Sequence, residues 1–437
     1  MNPPADFDPE KDAGSRIPGF YKLSIPQRRA AIAARTDHDV ARIAAALASG
    51  GLDPETADKV VENVLGLYAL PFGVALNVRV NHVDRLVPMV VEEPSVIAAA
   101  SNAAKMVRSA GGFHAEMVES LMTTQVQLAS VPDPARAVRE LEAHVEELLR
   151  LAAAAVPGLL ERSGGPREID VRDLGQGFLV VHVHVDCCDA MGANLVNSVA
   201  EAIGPRAAEL SGGRLGLRIL TNLCDRRRVR VTCRAHAADL AIGRGELRVE
   251  GSDVLDRVVE ASRFAELDPY RAATHNKGIL NGVDAVVMAT GNDWRAVEAG
   301  AHAFAARSGR YAPLGVWRRD GADLVGELEM PLALGTVGGT LRVHPAARLA
   351  LELMGVQSAA ELCHVAAAAG LASNLAALRA LATEGIQRGH MSLHARSVAA
   401  AAGAVGAEVE AVAAGLADAQ TVTLEAAREY LGRLRAR

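Results

Sequence analysis

The chain has 437 residues, half of them hydrophobic and 22% charged, with a formal net charge of −6. That is enough apolar material for two or three domains with sizeable cores, and it excludes the broad basic footprint that nucleic acid or an anionic membrane would need. Aromatic residues are only 3%, so the cores must be built from Ala, Val, Leu and Ile, a composition that suits closely packed helices.

The five cysteines, Cys187, Cys188, Cys224, Cys233 and Cys363, are odd in number and lack CxxC spacing. This argues against a disulfide framework and a structural zinc site, and leaves reduced thiols as the simplest reading. The opening Met1-Asn2-Pro3-Pro4-Ala5-Asp6 has no apolar core of the signal-peptide kind. No uninterrupted apolar run reaches the ~18 residues that span a bilayer, since Gly370, Ser373, Asn374 and Arg379 interrupt the Ala-rich stretch 365–382. A cytoplasmic protein acting on small molecules is expected.

In chain order, a polar arm over 1–20 leads into a helix from Ser24 to about Ala48. Residues 77–91 alternate as two strands around an Asn81–Asp84 turn. Pro94 and Gly111-Gly112 bracket a helix over 95–110. The pattern after Pro132 predicts one amphipathic helix to about Leu160. Strands follow within 168–186, then a helix from Asp189 to Ile203 ending at Gly204-Pro205, then strands at 214–220, 228–235 and 246–250. The order over 133–250 predicts a small split βαβ sandwich inserted in a larger helical domain. Helices dominate from 253, apart from a β segment within 313–343.

Four segments could carry chemistry. The strand ending at Asp186 turns through Cys187-Cys188-Asp189-Ala190-Met191-Gly192-Ala193-Asn194 into a helix. Asp189 is placed to cap that helix, and Gly192 permits the close approach of a phosphate to free N–H groups. No GxGxxG occurs, so a dinucleotide here would not use a Rossmann fingerprint. The second segment, Tyr270 to Gly282, gathers Arg271, His275, Asn276 and Lys277, a set suited to gripping a carboxylate and stabilising an alkoxide. Asp293 follows in a polar break. Helix capping for Asp293 and simple solvation for Lys277 remain open on spacing alone.

Glu92-Glu93 precede Pro94 at a strand-to-helix junction, where a carboxylate either caps the helix or donates a proton. His390 and His394 stand four apart near the C-terminus, but the Glu of HExxH is absent and no third ligand sits at a telling distance. A proton-transferring His390 on a Gly-hinged helix is preferred over a metal site. His182 and His184 read as sheet-surface histidines, and Gly335-Thr336-Val337-Gly338-Gly339-Thr340 as a flexible turn. The residues alone also leave room for a non-catalytic helical protein binding CoA esters, and for a metal-dependent hydrolase.

Seven separated segments together resemble the soluble bacterial class of HMG-CoA reductases, the mevalonate-degrading type. They are Ser15-Arg16-Ile17-Pro18-Gly19-Phe20, Glu62-Asn63-Val64-Leu65-Gly66, Val91-Glu92-Glu93-Pro94-Ser95, Asp189-Ala190-Met191-Gly192-Ala193-Asn194, Thr274-His275-Asn276-Lys277-Gly278, Ala289-Thr290-Gly291-Asn292-Asp293-Trp294 and Gly389-His390-Met391. The resemblance covers nearly the whole chain. It implies an α+β fold: a large, mainly helical substrate domain over 1–117 and 222–386, an inserted ferredoxin-like split βαβ domain for the dinucleotide over 118–221, and a C-terminal helical flap over 387–437.

The resemblance assigns catalysis to Glu93, Lys277, Asp293 and His390. It places Ser95, Arg271, Asn281 and Asn222 near the HMG portion, and Asp189, Met191, Gly192 and Asn194 at the dinucleotide. The implied reaction interconverts HMG-CoA with mevalonate and CoA, using two nicotinamide cofactors, through mevaldyl-CoA and mevaldehyde. NAD(H) is favoured by overall similarity. Residues 156–165 lack an acid at the expected ribose position, which admits NADP(H). No metal is implied, and a homodimer or higher symmetric oligomer with active sites at the subunit boundary is expected.

Overall fold

The computed structural model describes residues 14–243, 249–383, 395–419 and 421–436. Three short helices come first: α1 (Ile25–Ala33), α2 (Val40–Ala46) and α3 (Pro54–Val60). The single helix expected over 24–48 is broken, because the Asp39 carboxylate accepts the Arg42 amide and starts α2 afresh as its N-cap. Strands β1 (Phe72–Val80) and β2 (Val83–Val90) then form a hairpin. Its turn residues, Asn81 and His82, both have positive φ (48° and 67°), as a two-residue hairpin with the usual strand twist demands.

Helix α4 (Val96–Arg108) leads to β3 (Phe113–Ser120) and β4 (Met122–Ala129). These two strands were not legible in the sequence, because buried Thr123 and Thr124 interrupt the apolar alternation of β4. The expected helix over 133–160 is three pieces, α5 (Pro134–Ala143), α6 (Val145–Ala154) and α7 (Pro157–Leu160), with breaks at His144 and at Val156 before Pro157. β5 (Gly165–Gly175) and β6 (Phe178–Asp186) form a hairpin, followed by α8 (Ala193–Ser211) and β7 (Arg214–Leu220). Helix α8 runs straight through Gly204-Pro205, where the sequence predicts its end. Its buried face of Val196, Val199, Ile203 and Ala207 offsets the amide lost at Pro205, and Gly212 (φ 64°) terminates it.

β4 to β7 make a wholly antiparallel sheet in the order β5-β6-β4-β7, the ferredoxin-like arrangement. Its own core includes Met122, Val126, Leu128, Val181, Val183, Val196 and Ile203.

The remaining elements are β8 (Arg227–His236), α9 (Ala237–Leu240), α10 (Gly251–Leu267), α11 (Pro269–Ala289), α12 (Trp294–Ala305), β9 (Gly315–Asp320), β10 (Asp323–Pro331), α13 (Pro345–Met354) and α14 (Ala359–Thr383). β8 corrects the sequence reading: it belongs to a second sheet, ordered β2-β1-β3-β8-β10-β9, and not to the small sandwich. Its inward residues Val229, Val231 and Cys233 pack into the larger core, which accounts for the difference. The chain leaves this sheet after β3 and rejoins it at β8, and the Leu121 amide donates to the Arg226 carbonyl at 2.7 Å across the junction. The strand expected at 246–250 falls largely outside the described residues.

Helix α14 is apolar enough over an 18-residue window to span a bilayer by composition, but 67% of that window is buried within the fold. Its alanines let α11 come close. A Cβ on Gly282 would lie 2.3 Å from the Ala369 carbonyl oxygen, so the two backbones touch at that point. After 395 the helices Ala407–Asp418 and Leu424–Arg435 share a separate small core of Ala395, Ala399, Val412, Leu416 and Leu431.

Candidate active site

Glu93 lies on the short link between β2 and α4. It caps nothing: α4 has no side-chain cap, and the Glu93 carboxylate instead meets Lys277 of α11, with Nζ to Oε2 at 2.7 Å. Two segments 184 residues apart in sequence thus place an acid beside an ammonium group. The pair is open to solvent, with side chains 59% (Lys277) and 34% (Glu93) exposed, so its structural worth is under about 1 kcal/mol. Such a pair is available to a ligand. Beside it, Ser95 is held in the left-handed region (φ 78°) and its buried hydroxyl has no partner among the described residues. A buried donor without an acceptor costs on the order of 1 to 3 kcal/mol until something binds it.

Glu93 and Ser95 line a cavity of about 1320 Å³ that runs past Phe20, Tyr68, Met288 and His344. Arg16, Arg29 and Lys105 also line it, and none of the three has an ion pair among the described residues. The cavity therefore combines an apolar wall with unpaired cations, a match for a long, negatively charged acyl carrier.

Asn281 follows Lys277 by one helical turn and shares its face. Arg271 sits six residues before Lys277, roughly 120° round the helix, so it does not point to the same spot. Its half-buried guanidinium has no carboxylate among the described residues, and burial lowers its pKa. His275, on the Arg271 side, is buried and donates from Nε2 to the Gly315 carbonyl, 3.0 Å away; burial pushes its pKa down to about 4, so it stays neutral.

Asp293 is where the bland reading of the sequence describes the chain best. It caps α12, accepting the Arg295 and Ala296 amides at 3.0 and 3.1 Å, and Arg295 adds a side-chain contact at 3.4 Å. Among the described residues no hydrogen bond or ion pair joins it to Lys277. Asn222 is exposed in the loop after β7, its carbonyl against Gly300 of α12, and it does not line the Glu93 cavity. His390 and His394 lie outside the described residues.

At the other candidate site, Gly192 occupies the N-cap of α8 with φ 103°, and among the described residues no side-chain cap hydrogen bond meets the first amides of this 19-residue helix. A Cβ there would strike Cys187 Sγ at 2.5 Å. Asp189 does not cap α8, as the sequence predicts; its carboxylate accepts the Ala359 amide at 2.8 Å and so anchors the start of α14. The difference arises because Gly192 itself turns the backbone into α8, which frees Asp189 to reach across. Met191 is partly covered and Asn194 is exposed. The open amides, the helix dipole and the exposed Asn194 fit the pyrophosphate of a dinucleotide.

Sequence reasoning missed Arg227. It is 2% exposed and donates to the carbonyls of Ala190, Met191 and Leu334 at 3.0, 3.0 and 2.7 Å. The signal was present, since strict alternation in β8 puts residue 227 on the same face as Val229, Val231 and Cys233. The Gly335–Thr340 turn was read as flexible, yet Gly335 is clamped by both amide atoms of Asn292.

The family model for hydroxymethylglutaryl-coenzyme A reductase matches residues 24–395, most of the chain. The chain belongs to the HMG-CoA reductase family. It is 45% identical to the 3-hydroxy-3-methylglutaryl-coenzyme A reductase of Archaeoglobus fulgidus over 428 residues, covering 96% of this chain and 95% of that protein. The 3-hydroxy-3-methylglutaryl-coenzyme A reductase from Streptococcus pneumoniae superimposes with a TM-score of 0.81 at 42% identity, covering 95% of this chain and 99% of that one. A second S. pneumoniae structure, a class II enzyme bound to NADPH in open conformations, gives 0.79 at 42% identity and covers 94% and 100%. These matches span the α+β fold expected from the sequence.

Proposed function

We propose that Glu93, Lys277, Asp293 and His390 carry the chemistry of this family, the interconversion of HMG-CoA with mevalonate and CoA by an NAD(P)-dependent oxidoreductase. The observation that supports this most is the 2.7 Å contact between Lys277 and Glu93, the latter lining the large cavity. Reduction of a thioester to an alcohol takes two hydrides, which the nicotinamide supplies when bound. Lys277 then stabilises the oxygen of tetrahedral mevaldyl-CoA, and Glu93, held by Lys277, passes a proton to the carbonyl oxygen. His390 protonates the departing CoA thiolate. Ser95, Arg271, Asn281 and Asn222 are proposed to orient the HMG portion, with the unpaired Arg271 guanidinium as a grip for its carboxylate.

The division into a substrate domain (1–117 and 222–386), a dinucleotide domain (118–221) and a flap (387–437) belongs to the same proposal. In it, Asp189, Met191, Gly192 and Asn194 receive the dinucleotide. The assembly is proposed to be a homodimer or larger symmetric oligomer. Val61, Leu65 and Tyr68 are 56%, 105% and 91% exposed, with Tyr68 lining the cavity, and a second copy would cover this apolar segment. Five unpaired cysteines accord with a cytoplasmic setting.

NAD(H) is proposed on overall similarity. The second reading, NADP(H), is favoured by the NADPH-bound S. pneumoniae relative and by the exposed Arg162, which has no ion pair among the described residues and stands beside the Cys188 turn. Steady-state rates with HMG-CoA and each reduced nucleotide, and with mevalonate plus CoA and each oxidised one, test the whole reading. Nucleotide-dependent turnover in either direction is expected; unchanged absorbance with all four nucleotides overturns it.

A further inference from the structure

The turn that opens α8 is not held by its own lobe. Arg227, at the first position of β8 in the large sheet, ties the carbonyls of Ala190 and Met191 to that of Leu334. The Thr336 amide donates to the Asp189 carbonyl, and Ala190 bridges to Val337. Asn292 completes the chain: its Nδ2 donates to the Gly335 carbonyl at 3.1 Å and its Oδ1 accepts the Gly335 amide at 2.8 Å. Gly335 must be glycine for this to close, since a Cβ would lie 2.5 Å from the Met191 nitrogen.

We infer that Arg227 and Asn292 are positioning residues that set the backbone of 189–192 for the dinucleotide, working from the opposite lobe. A buried guanidinium whose three short bonds all go to main-chain carbonyls fixes geometry rather than balancing a charge. Asn292 precedes Asp293, so the same clamp registers the dinucleotide turn against the loop that carries a proposed catalytic acid. The consequence is directional. Loosening the clamp splays the α8 amides away from a bound pyrophosphate, whereas none of Arg227, Asn292 and Gly335 lines the Glu93 cavity.

This inference rests on the reading that residues 189–194 receive the dinucleotide, and the test separates the two. Dissociation constants for NADPH, NADH and HMG-CoA, each alone, are measured by titration calorimetry on the full-length protein and on Arg227→Lys, Asn292→Ala and Gly192→Val. Arg227→Lys and Asn292→Ala are expected to weaken the preferred nucleotide about tenfold, the effect of losing one or two well-made hydrogen bonds, and to move HMG-CoA affinity by less than about twofold. Gly192→Val should weaken the nucleotide by more. If Gly192→Val leaves nucleotide affinity intact, the dinucleotide assignment fails. If Gly192→Val weakens it but Asn292→Ala does not, the clamp alone fails. Equal losses for nucleotide and HMG-CoA in both clamp variants also overturn the inference, because they mark general loosening. Should Arg227→Lys not fold, Asn292→Ala, at a partly exposed position, decides the matter by itself.

Discussion

Replacing Lys277 by methionine removes the ammonium group and keeps most of the side-chain volume. The Lys277 side chain is 59% exposed, its partner Glu93 34%, and their contact is a single bond of 2.7 Å, so the pair contributes less than about 1 kcal/mol to folding. Helix α11 also loses nothing, since methionine and lysine have similar helix propensity. Stability should therefore be nearly unchanged. Catalysis should not be, because an oxyanion stabiliser of this kind is worth about 3 to 4 kcal/mol in the transition state, or 10² to 10³ in rate. The expected outcome is a fall in kcat of that size, followed as loss of nicotinamide absorbance with saturating HMG-CoA, alongside a thermal unfolding curve that overlays the parent. A variant that keeps more than about a tenth of the parent rate would refute the role given to Lys277. So would a variant that unfolds, since the pair would then be structural.

Gly282→Val forces a branched side chain into a gap where even a Cβ would sit 2.3 Å from the Ala369 carbonyl, so α11 and α14 must part; a loss of about 1 to 3 kcal/mol is expected in urea unfolding, and an unchanged midpoint contradicts the packing described. Asp284 provides a pH test. Burial, reinforced by Glu298 beside it, raises its pKa from 3.8 to about 8, so the folded state holds this proton more tightly than the unfolded chain. The associated stability is fully present below 3.8 and is lost as pH rises through about 8. Asp284→Asn should flatten that decline in melting temperature across the same window; parallel curves for parent and variant would show that Asp284 is not protonated in the fold.

How far the sequence could be read depended on the range of the interactions involved. The β1–β2 hairpin, the β5–β6 hairpin and α4 were legible because turn residues and periodicity are local signals, whereas β9 and β10 showed only as an undivided β segment. β4 was not, since its buried threonines are polar in composition; Thr123 finds its partner, His184, only in the fold, and His184 is itself bound to Asp170. The same distinction runs through the site. Glu93 and Lys277 could be named from motifs, but their pairing needs contact across 184 residues. Asp189 was expected at the nearest helix and instead serves α14, 170 residues away. Arg227 was hidden in the run Asp225-Arg226-Arg227-Arg228, where its neighbours are surface cations: Arg226 bonds Glu119 and Glu168, and Arg228 bonds Glu329.

The junction between β3 and β8 has a consequence for how such a protein can change. Because Leu121 and Arg226 are hydrogen-bonded neighbours, everything between them is, to the larger sheet, one oversized hairpin loop. The entropy of closing a loop grows only with the logarithm of its length. The lobe can therefore be lengthened, shortened or exchanged for another module with little penalty to the rest of the molecule, provided the graft restores its contacts at the stalk. Under the proposed division of labour, nucleotide preference can drift on one side of that stalk while the cavity lined by Glu93 on the other stays as it is.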